Sequence, residues 1–447
     1  LFSIWDQKLS DKSRLSAIFD NLTKRGEKEA RLLYSAAVYP ELTLQWVLMH
    51  RSRVMQAVLQ ASKDQHYVLD IVKHSIVILD KARDFYIAAW PERIMLMNIA
   101  KILAEETNHL ISDSVYSFRA GRGPTSALSD LSAFLLKKTR GGARRFYVLK
   151  RDVTKYGDTI PHDKLIAFLL KHTAAGDNPI FMNLLKQSLR CYFKSVDGSE
   201  KCMIRGVPSG SPLVPPLENL YLTPLDNALR SKPDSFYGRY GDDFLFVTTD
   251  IDLANKIKAE IETIITGMGL AIKPEKKQDI LLTLETSPQV PYVESFQTLP
   301  AFEWLGARID SAGRRSMRRK HQNELWLHLK FEIKELLETA NRLAPPGETR
   351  LKILRAGLLK LISKNDPNLS SALIFGHTDP NNLKQFDHLF IHFLVSALER
   401  HWSLGRKMAW KTVKGLRLPT TFFQQYLKKK MRNRSKQTGK DFAPRAA

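Results

Sequence analysis

The sequence predicts an α+β chain of more than one domain. Its 447 residues suffice for two or three domains with real cores, and a hydrophobic content of 43% suits a globular protein. Long stretches carry apolar residues at helical spacing, and short apolar runs broken by glycine stand between them. The clearest such run is Gly238-Arg239-Tyr240-Gly241-Asp242-Asp243-Phe244-Leu245-Phe246-Val247. Gly241 accepts φ > 0 at no steric cost, so the run reads as strand, tight turn and strand, with the acids at the turn. Adjacent side chains on an extended chain point to opposite faces, so one acid of the pair, Asp242, is assigned to aim at a metal ion.

The elements follow in order. Residues 1–85 read as a helical N-terminal extension. Leu32, Leu33, Ala36 and Ala37, then Leu48, Val54, Val58 and Leu59, recur at helical spacing with Lys and Arg between them. An amphipathic packing segment is the leading reading, and a grip on template or structured RNA is the other. Trp90-Pro91-Glu92-Arg93 opens the next helix, since proline suits a first turn. Ser117-Phe118-Arg119-Ala120-Gly121-Arg122 is a basic glycine turn. A guanidinium fork suits phosphate oxygens, and glycine lets backbone amides approach an anion. Residues 126–139 read as a helix that Gly141-Gly142 breaks. Phe146-Tyr147-Val148-Leu149 reads as a strand running into Arg151-Asp152-Val153-Thr154-Lys155-Tyr156-Gly157-Asp158. One helix then extends to about Tyr192. Gly206-Val207-Pro208-Ser209-Gly210-Ser211-Pro212 is a turn-rich loop that opens a helix through Leu217 and Leu225. Residues 252–267 make a further helix, 269–277 a turn and short strand, and 302–309 one strand. Arg314, Arg315, Arg318, Arg319 and Lys320 then lead into helices broken at Pro345-Pro346-Gly347 and Asp379-Pro380, before a basic stretch from Lys428 to Lys436.

The net charge of +23 points to a polyanionic partner, nucleic acid before an anionic membrane surface. No apolar run approaches the roughly 20 residues a membrane span needs, and no leader pattern opens the chain, so a cytoplasmic location is expected. The two cysteines, Cys191 and Cys202, lack zinc-site spacing and suit a reducing compartment without a disulfide.

An acid at the end of a buried strand is costly without a cation. That makes Asp152 the mate of Asp242, about 90 residues further on. Such a set suits two-metal phosphoryl transfer, in which Mg²⁺ or Mn²⁺ activates a 3′-hydroxyl and stabilises the leaving oxygen. Mg²⁺ takes oxygen ligands, typically one or two carboxylates plus substrate phosphates. The chemistry expected is phosphoryl transfer to a nucleic-acid end.

From about Trp90 to Ile309 the chain resembles the bacterial reverse transcriptases related to group II intron proteins, block by block and in order. Ser117-Phe118-Arg119 with Gly121-Arg122 resembles the fingers block. Asp152 with Ile160-Pro161-His162-Asp163-Lys164-Leu165 resembles the first catalytic block. Gly206-Val207-Pro208 with Gly210-Ser211-Pro212-Leu213, Asn219 and Tyr221-Leu222 resembles the template and nucleotide loop. Tyr240-Gly241-Asp242-Asp243 resembles the catalytic hairpin, Gly269-Leu270 with Pro274-Glu275-Lys276 the block whose lysine nears the triphosphate, and Leu305-Gly306 the primer grip. Leu383-Lys384-Gln385-Phe386-Asp387-His388 resembles a thumb helix.

The resemblance implies a right-hand polymerase with fingers and antiparallel-sheet palm over 86–310. A helical thumb and basic C-terminal region would follow over 311–447, with both terminal regions mostly helical. It implies an RNA-directed DNA polymerase, a nucleotidyltransferase using dNTPs and Mg²⁺ or Mn²⁺. Asp152 and Asp242 would hold metal with the Val153 carbonyl, and Asp243 would support the site. Arg119, Tyr156, Gly157, Ser209, Gly210 and Lys276 would bind the nucleotide. Arg122, Pro208, Leu305 and Gly306 would contact template and primer.

Two departures stand out. The family's second aromatic, which blocks a ribose 2′-hydroxyl, is here Gly157, so ribonucleotide discrimination is weakened or passes to another residue such as Tyr156. The usual glutamine of the template loop is Ser209. Both suggest a specialised polymerase of the solitary or antiphage-defence branches, abortive-infection systems included. The expected partners are an RNA template, a dedicated noncoding RNA and the DNA product, with a partner protein or homo-oligomer left open and no membrane. An intron-homing enzyme with its own endonuclease is disfavoured, since no His/Cys-rich module is found. The competing readings are an RNA-dependent RNA polymerase and a maturase-like RNA-binding scaffold.

Overall fold

Apolar residues at i, i+3, i+4 and i+7 set the first packing event of the fold. Leu15, Ile18, Phe19 and Leu22 are all buried, on the inner face of a helix. The computed structural model describes residues 4–29, 44–69, 71–78, 81–191, 193–194, 200–283, 295–362, 380–416 and 418. They divide into two compact units, Leu1–Gly123 with Tyr147–Asp279, and Pro124–Phe146 with Ile280–Ala447.

The first unit begins with helices α1 (Ile4–Ser10), α2 (Lys12–Glu29), α3 (Leu44–Met49) and α4 (Arg51–Ala61). A hairpin of β1 (Ile71–Ile78) and β2 (Lys81–Ala88) precedes helix α5 (Trp90–Thr107). Lys8 Nζ donates to Glu106 at 2.7 Å and Arg14 Nε to Asn98 Oδ1 at 2.6 Å, fastening α1 and α2 to α5. The hairpin corrects the helical reading between 71 and 88. Its strands pair from Ile71↔Ala88 to Ile78↔Lys81, and the β-branched composition of Ile71, Val72, Ile76, Val77 and Ile78 favours extended chain over helix. Leu32, Leu33, Ala36, Ala37 and the basic stretch from Lys428 lie outside the described residues.

Helix α6 (Pro124–Arg140) belongs to the second unit. Strand β3 (Phe146–Asp152) follows, its Val148 and Leu149 fully buried. The single helix expected after it is broken. There is a short turn α7 (Tyr156–Thr159), then α8 (His162–His172) and α9 (Pro179–Arg190), whose start is capped by Asn178 accepting the Phe181 N–H. The short pair β4 (Phe193–Lys194) and β5 (Glu200–Lys201) comes next. The helix expected through Leu217 and Leu225 is also two, α10 (Val214–Tyr221) and α11 (Thr223–Leu229). Pro224 cannot donate a helical hydrogen bond, so a continuous helix stops before it.

Strands β6 (Ser235–Tyr240) and β7 (Asp243–Thr248) form the expected hairpin, and the order within the unit is β6-β7-β3, all antiparallel. Phe244 to Val247 are fully buried, the mark of a central strand covered on both faces. Helix α12 (Ile251–Gly267) buries Ala254, Ile257, Ile261 and Ile265, and Asp250 caps it by accepting the N–H groups of Asp252 and Leu253.

Strand β8 (Gln278–Leu282) crosses the division between the units, and in the second it pairs in parallel with β9 (Gln297–Leu299). The single strand expected over 302–309 is two, β10 (Ala301–Trp304) and β11 (Ala307–Asp310), with β12 (Arg315–Met317) beside them. Leu305 at φ 45° and Gly306 at φ 82° turn the chain between them, the two positive values a type I′ turn requires. Gly313 lies so close to α6 that a Cβ would stand 2.5 Å from the Ser132 carbonyl. Helices α13 (Arg319–Leu343), α14 (Glu348–Ile362), α15 (Pro380–His401) and α16 (Arg406–Gly415) share a core that includes Leu329, Ile333, Leu358, Leu394 and Leu398.

Candidate active site

Asp152 ends β3 and Asp243 begins β7, and the two are direct partners in the antiparallel register. Directly opposed residues share one face of a sheet, so the two carboxylates face the same way, and like charges so placed repel. Asp242 occupies the second position of the turn after Gly241, whose φ is 64°. Glycine first in a two-residue loop is the type II′ pattern that suits a twisted hairpin. The Asp242 carbonyl accepts the Val153 N–H at 3.3 Å. On the other side, Thr154 N–H donates to Ala271 O and Lys273 N–H to Asp152 O, both at 2.8 Å, and Val153 bridges Ile272. This brings up the short 3₁₀ turn of Pro274–Lys276, and Lys276 Nζ donates to Asp152 Oδ2. The turn and short strand expected over 269–277 are therefore a turn, one bridge and a 3₁₀ turn.

The electrostatics follow from this crowding. Burial, then the Asp152 charge, raises Asp242 above the usual carboxylate range, against the pull of Lys276 and Lys273. Burial pushes Asp243 up to about 6, opposed by Lys150. The hydrogen bond to Asp152 raises the Lys276 ammonium above its ordinary value. Carboxylates whose protons are held this tightly are a site that gains from a cation.

The turn is held from behind by Arg239, which with Asp226 is fully buried. Its Nε and Nη2 donate to the two Asp226 oxygens at 2.8 and 2.7 Å. The remaining N–H groups reach Asn219 Oδ1 at 3.3 Å, Gly241 O at 3.1 Å and Asn219 O at 3.0 Å. Burial works against this charge, and Asp226 holds the guanidinium well above its ordinary range. Asn219 in turn accepts the Ser117 hydroxyl at 2.9 Å and donates to Ser117 O at 2.8 Å. Hairpin, α10 and the loop carrying Arg119 are thus one hydrogen-bonded body.

A second cluster forms around Gly157. Val207 N–H donates to Gly157 O at 2.7 Å and Gly206 N–H to Ile160 O at 2.8 Å. Gly206 approaches so closely, at φ 89°, that a Cβ would stand 2.8 Å from the Asp158 carbonyl. Pro208, Ser209 and Gly210 form a turn closed by Ser211 N–H on Pro208 O at 3.0 Å, with Gly210 at φ 92°. The Ser209 carbonyl accepts the Tyr86 N–H at 2.9 Å, which ties this loop to β2. Tyr156 is buried, and its hydroxyl donates to the Glu218 carbonyl at 2.6 Å, so it faces the interior and is not free to take over the blocking role. The Glu218 side chain fills the space beside Gly157 instead, where a Cβ would stand 2.8 Å from Oε1. Burial first, then the Asp242 charge, pushes Glu218 up to about 7.

Arg119 and Arg122 bond to Ser112, Val115 and Asp113. Arg119 Nη1 donates to Ser112 O at 2.8 Å, and Arg122 Nη2 to Asp113 Oδ1 at 3.0 Å, so both close their own loop. They border a cavity of about 460 Å³ with Phe118, Pro215 and Pro216. Among the described residues neither makes an ion pair with Asp152, Asp242 or Asp243. Leu305 and Gly306 stand in the second unit, at the β10–β11 turn.

Asp152, Asp242, Asp243 and the Val153 carbonyl offer oxygen donors only, the set a Mg²⁺ or Mn²⁺ ion takes. Among the described residues no group of three or more His, Cys, Asp and Glu side chains is placed to hold a metal ion. Mg²⁺ typically takes only one or two carboxylates, with substrate phosphate completing its ligands. The ammonium of Lys276 on Asp152 shows that a cation sits well there. Cys191 and Cys202 are free thiols, as expected.

Residues 73–309 match the family model described as reverse transcriptase (RNA-dependent DNA polymerase). That is more than half of the chain, and the chain belongs to this family of nucleotidyltransferases. Over 188 residues it is 26% identical to the "Uncharacterized 91 kDa protein in cob intron" of Schizosaccharomyces pombe, covering 41% of this chain and 22% of that protein. Among solved structures it is similar to telomerase from Candida albicans in complex with a TWJ fragment of telomeric RNA, with TM-score 0.44, 14% identity, and 83% of this chain and 66% of that one covered. Apo telomerase from Candida tropicalis matches with TM-score 0.45 and 15% identity over 79% of this chain and 65% of that one. The chain spans less than two thirds of the length of each of these proteins. Among the described residues no helix is long and apolar enough to cross a membrane.

Sequence reasoning named the three acids and Lys276 but passed over Glu218, Asp226 and Arg239. The signal for Arg239 was present: a charged residue inside an apolar strand, which demands a buried partner. Glu218 carried no local signal, because its place depends on Gly157, about 60 residues earlier.

Proposed function

We propose that this protein is an RNA-directed DNA polymerase that joins dNTPs to a 3′ end by two-metal phosphoryl transfer. The observation that carries this reading is the pairing of Asp152 with Asp243 beside the Gly241-Asp242 turn, inside a chain that belongs to the reverse transcriptase family. Asp152, Asp242 and the Val153 carbonyl hold Mg²⁺ or Mn²⁺, and Asp243 supports them. The metal supplies Lewis-acid activation of the 3′-hydroxyl and stabilisation of the leaving oxygen. Lys276, half exposed on a flexible stem, balances the charge of Asp152 and is placed to meet the triphosphate. Arg239 and Asn219 keep the turn and the Arg119 loop in fixed relation. Residues 86–310 serve as fingers and palm and 311–447 as thumb, with Arg122, Pro208, Leu305 and Gly306 toward template and primer.

The net charge of +23 supports a nucleic-acid partner. The relative named for an intron makes intron-type RNA the first partner to test. A dedicated noncoding RNA in antiphage defence is the second, supported by the departures at Gly157 and Ser209. The test is dTTP incorporation by the purified chain on oligo(dT)-primed poly(rA), with UTP in a parallel reaction. Template-dependent incorporation of dTTP is expected. Incorporation of UTP alone would replace this reading with an RNA polymerase.

A further inference from the structure

Glu218 is not among the acids assigned to the metal. It lies on α10 with its backbone carbonyl held by the Tyr156 hydroxyl at 2.6 Å. Its carboxyl rests over Gly157, with Oε1 2.8 Å from the place of a Cβ, so it occupies the space that a side chain at 157 would enter. The opposing strip is fixed by its backbone, since Gly157 O accepts the Val207 N–H at 2.7 Å. The side chain is close enough to Asp242 and Asp158 to feel both charges, and among the described residues no donor takes up its carboxylate. It is half-buried, so it faces the site and is not sealed in the core.

A nucleotide reacting at Asp152 and Asp242 brings its α-phosphate to them, and the sugar ring follows through O5′ and C5′. A carboxylate beside that position repels phosphate, so the part of the nucleotide it meets is the sugar. We propose that Glu218 reads the sugar of the incoming nucleotide, its carboxyl standing on Gly157 in the space a ribose 2′-hydroxyl would need. This rests on the polymerase reading above. Selection comes from occupied volume: a deoxyribose passes the carboxyl and a ribose collides with it. Glycine at 157 leaves that place to the carboxyl, and a Cβ there would shift the Glu218 side chain.

The test compares dATP and ATP on the full chain in Mg²⁺, by equilibrium binding and by single-nucleotide incorporation. Wild type, Glu218→Ala, Glu218→Gln and Asp242→Ala are run together. Glu218→Ala should lower the preference for dATP by about tenfold or more, through a lower KM and Kd for ATP. Glu218→Gln, which keeps the volume, should retain it. An unchanged preference in Glu218→Ala overturns the proposal, as does a loss in Glu218→Gln equal to that in Glu218→Ala. The polymerase reading is judged separately, by whether wild type incorporates and Asp242→Ala does not. Should wild type incorporate neither nucleotide, that reading fails, and the binding ratios alone decide the role of Glu218.

Discussion

At the scale of single residues, the acids set a testable energy. Asp243 moves from an ordinary value of 3.8 to about 6 in the folded chain. Between these values the folded state holds the proton more tightly than the unfolded chain does, so stability falls as pH rises through that window. The loss at neutral pH is on the order of 3 kcal/mol. Asp243→Asn removes it. In metal-free buffer the variant and wild type should melt together near pH 4, and the variant should melt higher by pH 7. Mg²⁺ should narrow the gap by favouring the ionised wild type. A melting difference that does not change with pH contradicts the placement of Asp243. The acids themselves were legible in the sequence, since an acid pair at a glycine turn and an acid ending an apolar strand both ask for a cation. The inward turn of Tyr156 was not, because a tyrosine fits a pocket wall and a core equally well until its hydroxyl partner is known.

At the scale of elements, the hairpin depends on a buried ion pair. Removing one partner of such a pair leaves an uncompensated charge, which costs about 3–5 kcal/mol. Arg239→Met and Asp226→Leu should each lower unfolding free energy in urea by that order. The double variant should lose less than the sum, because neither charge is then left alone. Equal and additive losses would mean that the two side chains do not depend on each other. The element pattern was readable where one signal dominated. Strands β3, β6 and β7 and helices α6 and α12 follow from apolar runs, glycines and caps. The misses have separate causes. The β1–β2 hairpin was absorbed into a helical trend set by its neighbours. The β10–β11 turn was hidden because Leu305 takes a positive φ, a conformation that leucine rarely adopts and composition does not flag. The breaks between α8 and α9 and between α10 and α11 lie at prolines, Pro179 and Pro224, whose meaning was available in the sequence.

At the scale of the whole molecule, charge and family agree on a nucleic-acid enzyme. With a net charge of +23, binding to RNA as proposed above should weaken as salt rises, since each neutralised phosphate releases counterions. The family shared by residues 73–309 covers Asp152, Asp242, Asp243, Lys276, Gly157 and Glu218 together. The central claim is that the paired acids of β3 and the β6–β7 hairpin perform nucleotidyl transfer. The measurement that tests it most directly is single-turnover addition of one dNTP to a primer on an RNA template. Wild type is compared with Asp152→Asn and Asp242→Asn, which keep shape and remove charge. Addition by wild type and a loss of at least about a thousandfold in both variants, with primer–template binding retained, is the predicted result. Addition by either variant at the wild-type rate would place the chemistry elsewhere and contradict the account.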